Sequence, residues 1–176
     1  VSAKMAKKKL NIPMQYAQDV KTGKIIAGKL AKLAVKRHLN DLKSGKKRGL
    51  FFDEDAAQHA IDFFQLLKHS KGPLAGTEFV LAPFQMFKIW VLFGWKNDDG
   101  TRRFRYAYNE VARKNGKTTE ASAIANYLFV ADGIAGAEVY TAATKKDQAK
   151  IAFEEATRLI QRSPFLKKHV GIQKNK

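Results

Sequence analysis

The residues whose types and spacing most clearly suggest chemistry are Val111-Ala112-Arg113-Lys114-Asn115-Gly116-Lys117-Thr118. A Gly-Lys-Thr run that closes a strand and opens a helix presents backbone N–H groups to an anion, and the helix macrodipole adds partial positive charge there. In that chemistry Lys117 contacts the β- and γ-phosphates of a nucleotide, and the Thr118 hydroxyl ligates magnesium. The usual spacing of such a loop is G-x-x-x-x-G-K-[ST], and Val111 stands where the first Gly belongs. An ordinary strand-to-helix turn with exposed basic residues has the same local composition, so the flanking elements must distinguish the two.

Those elements read as the start of an α/β sheet. Arg103 to Glu110 carries aromatics at every second position, as a strand would. Thr118 to Ala131 is Ala-rich with Ile124, Leu128 and Phe129 and holds neither Pro nor Gly, which predicts a helix. Ala137 to Ala143 reads as a second, buried parallel strand, and a helix follows from about Lys145 to Gln161 until Ser163-Pro164 stops it. On that helix Ala149, Ala152, Phe153, Ala156 and Ile160 share a side. Strand, loop, helix, strand, helix is α/β order, an incomplete P-loop NTPase with a parallel sheet and flanking helices.

A basic, helical segment precedes it. Residues 1–13 carry Lys4, Lys7, Lys8 and Lys9 without periodicity and are expected to be flexible. A helix is expected from about Lys24 to Leu42, with Ile26, Leu30, Leu33 and Ala34 as its apolar side between Lys29, Lys32, Lys36 and Arg37. Asp53 is an N-cap for a second helix to about His69, ended by Gly72-Pro73. Pro83 suits the start of a third, Phe84 to Phe93, apolar nearly all round and expected to be buried, with Gly94 at its end. Asn97 to Gly100 is a turn. The expected division is residues 1–72, basic and helical, and residues 73–176, the first part of the ATPase domain.

The chain has 176 residues and no cysteine, which excludes disulfides and thiolate metal sites. Its four histidines, His38, His59, His69 and His169, lack paired ligand spacing and read as surface residues. No apolar run is long enough to span a bilayer and no signal peptide is evident, so a cytoplasmic protein without membrane association is expected. The net charge of +17 is uneven: the first fifty residues hold fourteen Lys and Arg against two acids. Such a field favours polyanions, nucleic acid foremost, although a basic tail that only aids solubility has the same composition.

Taken together, several stretches between Tyr16 and Lys168 resemble the large terminase subunits of tailed bacteriophages, the motors that package DNA into proheads. These are Asp19-Val20 with Gly23-Lys24-Ile25, Phe52-Asp53-Glu54, Lys71-Gly72 through Leu81-Ala82-Pro83-Phe84-Gln85, and Phe93-Gly94-Trp95 before Gly100 to Phe104. The Arg113-Lys114-Asn115-Gly116-Lys117-Thr118 loop and Ala142-Ala143-Thr144-Lys145-Lys146-Asp147-Gln148-Ala149 complete the set. In that family the phosphate loop, a variant Walker A, commonly lacks its first Gly. The resemblance implies that Gln85 reads the adenine, since a carboxamide can donate to N7 and accept from N6. It implies that Arg113 reaches the γ-phosphate as an arginine finger would, beside Lys117, the other residue expected to act in catalysis. The implied nucleotide-binding set is Gln85, Arg113, Lys114, Asn115, Gly116, Lys117, Thr118 and Thr119, with Asn115 chiefly shaping the loop. The cofactors implied are ATP and magnesium. The partners are double-stranded DNA, the small terminase subunit, the portal protein and further copies in a ring, in a bacterial host cell.

Hydrolysis also needs an apolar strand ending in Asp-Glu, the Asp for magnesium and the Glu for water. The closest string, Tyr127 to Asp132, falls at the end of the loop helix, so Asp132 is rejected for that role. An acidic cluster for a two-metal nuclease is also missing. The expectation is therefore the N-terminal part of a terminase, able to bind ATP with little or no turnover alone. Two rivals stand beside it: a non-enzymatic basic nucleic-acid-binding module with an idle loop, and another P-loop ATPase such as a helicase.

Overall fold

In the computed structural model, which describes residues 11–173, Asn11 opens the first helix. Its side chain accepts from the Met14 N–H at 3.0 Å, and Pro13 sits in the first turn, where a missing N–H costs nothing. This helix, α1 (Ile12–Thr22), closes on Gly23, whose φ of 83° is the left-handed cap that glycine adopts without strain. The flexible stretch expected over residues 1–13 is thus already ordered at Asn11, and its first ten residues lie outside those described. The next helix, α2 (Lys29–Ser44), starts five residues later than expected, just after its N-cap Gly28.

The buried side of α2 is also not the expected one. Ile26, Leu30 and Leu33 are exposed, whereas Val35, His38 and Asp41 are buried. Two of those three are polar, so a periodicity built on apolar residues selects the wrong face. Each has its partners in place. Trp95 Nε1 donates to His38 Nδ1 at 3.0 Å, and His38 Nε2 lies 3.4 Å from Met14 Sδ. His38, read as a surface residue, is in fact at the centre of an aromatic cluster of Phe52, Phe87 and Trp95, with ring centroids 5.2 to 5.9 Å away. Asp41 is held by Arg48 and by Arg103, the latter at 2.6 Å.

After a 3₁₀ turn at Gly45–Arg48 come β1 (Leu50–Phe52) and α3 (Glu54–Gln65). Asp53 caps α3 as expected, its carboxylate accepting from the Ala56 N–H at 2.9 Å. The helix ends at Gln65, short of His69. Helix α4 (Pro83–Gly94) runs into β2 (Trp95–Asn97), which pairs antiparallel with β1, Phe52 opposite Trp95. Gly94 is required there because a Cβ would collide with the Phe52 ring. Most of α4 is buried, but Phe84 at its start is exposed.

Helices α5 (Lys117–Val130), α6 (Lys146–Arg162) and α7 (Pro164–His169) follow. Small residues let α5 and α6 approach closely: Ser122 Oγ donates to the Ala152 carbonyl at 2.9 Å and Asn126 Nδ2 to the Ala156 carbonyl at 3.0 Å. Ile160 is buried as expected, but Phe153, expected on the same side of α6, is exposed, and Glu155 and Leu159 are buried as well. Ser163, taken as a stop, also starts α7: its Oγ accepts from the Leu166 N–H and donates to the Leu66 carbonyl at 2.6 Å.

The structure is thus mixed, mainly helical, with one two-stranded antiparallel sheet among the described residues. The expected parallel sheet is not seen among the described residues. Residues 103–110 and 137–143 take no regular structure, and Tyr106, Tyr108 and Tyr140 are exposed. A parallel strand depends on neighbours for its hydrogen bonds and on helices over both faces, and alternation alone supplies neither.

The chain divides into two compact units, residues 1–58 with 81–105 and residues 59–80 with 106–176. The first is built on the His38 aromatic cluster. The second has Phe63, Phe64, Leu67, Phe79, Ala123, Tyr127, Leu159 and Leu166 in its core.

Candidate nucleotide-binding loop

The loop lies in the second unit and leads directly into α5. Two residues in left-handed backbone make its turn: Lys114 with φ 68° and Gly116 with φ 70°. Gly takes that conformation freely, whereas Lys114 is the only non-glycine with positive φ among the described residues. Asn115 braces the turn, its Nδ2 donating to the Ala112 carbonyl at 3.2 Å and the Arg113 carbonyl at 3.4 Å. Both of these bonds are internal to the loop.

Gly116 is the N-cap, and the Glu120 N–H returns to the Gly116 carbonyl at 2.9 Å to close the first turn. The N–H groups of Lys117, Thr118 and Thr119 precede that bond and have no carbonyl four residues back within the helix. Arg113, Lys114 and Lys117 are exposed around them, and Thr118 and Thr119 are half-buried. Three cations, the first amides of the helix and the positive end of its fourteen residues make an arrangement suited to phosphate.

For magnesium the fit is partial but sufficient. No group of three His, Cys, Asp or Glu gathers among the described residues. Magnesium bound with a nucleotide needs only one or two protein oxygens, because phosphates and waters fill the remaining positions. The Thr118 hydroxyl, on the second residue of α5, is of the right type to be one of them.

Beneath the loop Thr119, one of the expected nucleotide-binding residues, meets a group that motif reading did not identify. Glu155 on α6 is buried, and its Oε1 accepts from Ser70 Oγ at 2.6 Å and from Thr119 Oγ1 at 3.3 Å. Its Oε2 lies 3.2 Å from Arg158 and 3.6 Å from Lys71 Nζ. Burial alone would raise the Glu155 pKa, but the Ser70 hydrogen bond, Lys71 and Arg158 outweigh it and hold the carboxylate below its ordinary range. No spacing rule could have found this cluster, since Ser70, Thr119 and Glu155 are far apart in sequence.

Gln85 belongs to the first unit, on the opening turn of α4. It is buried, so it does not simply meet water, and its Oε1 accepts from the Ala82 N–H at 2.9 Å. Asp132 follows the last turn of α5, where its N–H returns to the Tyr127 carbonyl at 3.1 Å. Among the described residues, no helix is long and apolar enough to cross a membrane.

No curated protein and no solved structure is matched by the chain. One family model does match: that of the terminase large subunit, ATPase domain, over residues 83–175, a span that starts with α4 and contains the whole loop and helices α5 to α7. Since that match covers more than half of the sequence, the chain belongs to the terminase large subunit ATPase domain family.

Proposed function

We propose that this chain is the nucleotide-binding part of a DNA-packaging motor, which binds ATP with magnesium through Val111 to Thr118 to drive double-stranded DNA into proheads. The observation that carries the reading is the Gly116 turn, with Lys117 and Thr118 opening α5 inside the segment matched to the ATPase family. Lys117 neutralises the β- and γ-phosphates, Thr118 offers its hydroxyl to magnesium, and the amides of Lys117 to Thr119 receive phosphate oxygens. Arg113 supplies positive charge at the γ-phosphate and Lys114 adds to the field. Gln85 reads the adenine, its carboxamide carrying both the donor and the acceptor that the base edge requires.

Residues 73–176 form the ATPase part in this reading, and residues 1–72 a basic helical part. Lys29, Lys32, Lys36, Arg37 and Lys43 are all exposed on α2, an arrangement suited to phosphates of DNA. The small terminase subunit, the portal and further copies in a ring are the partners such a motor works with.

Calorimetric titration with a non-hydrolysable ATP analogue and magnesium, beside the GTP equivalent, tests the proposal. Saturable binding that prefers adenine, weakened roughly ten- to hundredfold in Lys117→Ala, is expected from the loss of a charge-assisted contact. Equal binding by wild type and Lys117→Ala would leave the loop idle and favour a purely basic DNA-binding module.

A further inference from the structure

Glu155 is the most buried acid in contact with the opening turn of α5, and nothing in the phosphate chemistry uses it. Its two oxygens divide their work. Oε1 receives the hydroxyls of Ser70 and Thr119, while Oε2 faces Arg158 and Lys71. Three segments distant in sequence thus meet on one carboxylate: the turn after α3, the first turn of α5, and α6 itself. A buried carboxylate this close to a phosphate site would repel phosphate if uncompensated; Lys71 and Arg158 supply the compensation.

Thr119 also has a choice. A hydroxyl in the first turn of a phosphate-binding helix can turn toward the ligand, as Thr118 is proposed to do. The Thr119 hydroxyl instead donates inward to Glu155 at 3.3 Å, a tie between the first turn and α6. The orientation of that first turn sets where the amides of Lys117 and Thr118 point.

We propose that Glu155 is a positioning residue for the nucleotide loop, acting through the Thr119 hydroxyl to hold the first turn of α5 in its phosphate-receiving orientation. The inference rests on the reading of the loop as a nucleotide site, yet its structural half can be tested without nucleotide.

The test compares wild type with Glu155→Gln, Thr119→Val and the double variant in two measurements. The first is amide hydrogen exchange at Glu120 and Ala121 without nucleotide, where the Glu120 N–H to Gly116 bond reports closure of the turn. Both single variants are expected to exchange faster there, with the α6 amides little changed. The second is affinity for the magnesium-bound ATP analogue, expected to fall about fivefold in each single variant and no further in the double, because contacting residues are not additive. Thr119→Val removes only a half-buried hydroxyl, so it keeps the test open should Glu155→Gln fail to fold.

Unchanged exchange at Glu120 and Ala121 in Thr119→Val would overturn the proposal. So would losses in affinity that simply add in the double variant. Faster exchange in a protein whose wild type binds no analogue would uphold the positioning role and overturn the nucleotide reading instead.

Discussion

The histidine at position 38 shows how far one side chain can depart from its composition class. Burial lowers its pKa to about 4 against the opposing pull of Asp41, and Trp95 donates to its Nδ1, so the ring is neutral in the fold with its proton on Nε2. Unfolded, it titrates near the ordinary histidine value of about 6.5. Between those values the unfolded chain binds the extra proton, so stability falls as pH falls. From pH 7 to pH 5 the expected loss is on the order of 2 kcal/mol. Thermal unfolding at the two pH values measures it, and His38→Gln, which can still accept from Trp95 but does not titrate, should show a much smaller drop. An equal drop in both would mean that His38 is already charged in the fold. Asp41 and Glu155 act lower on the scale. Their pKa values are depressed, so the stability they contribute is lost only as pH falls below the ordinary carboxylate range.

Among the elements, those with punctuation were legible. Asp53 before α3, Pro83 at the start of α4, Gly116 before α5 and Ser163-Pro164 after α6 each mark a boundary by backbone chemistry that works locally. The faces of the helices were harder to read, because burial follows partners, not residue class. On α2 the buried stripe is Val35, His38 and Asp41, and on α6 it includes Glu155. Short elements were missed where one signal served two purposes. Ser163 both closes α6 and caps α7 while tying the turn to Leu66. Ser163→Ala should therefore cost roughly 2 kcal/mol, combining a lost cap with a lost hydrogen bond to the Leu66 carbonyl. Denaturant unfolding checks this, and a loss under about 0.5 kcal/mol would mean that water or another donor replaces the hydroxyl.

For the molecule as a whole, the helices around the loop could be read in advance and the sheet could not. Two three-residue strands pair across more than forty residues, β1 with β2, with no alternation long enough to announce them. The stretches that did alternate, Arg103 to Glu110 foremost, remain without a ladder among the described residues. The same limit applies to the site. The loop motif, its bracing Asn115 and the helix that follows it are local and were legible. The Glu155 cluster that supports them joins residues up to 85 positions apart, a separation no motif encodes.

The central claim, that nucleotide phosphates sit on this loop, is tested most directly by a nuclear magnetic resonance titration of the backbone amides with an ATP analogue and magnesium. The largest shifts are predicted at Arg113 to Thr119, saturating together, and absent when Lys117→Ala is titrated in the same way. Binding whose shifts fall elsewhere, on α2 for example, and persist in Lys117→Ala would contradict it.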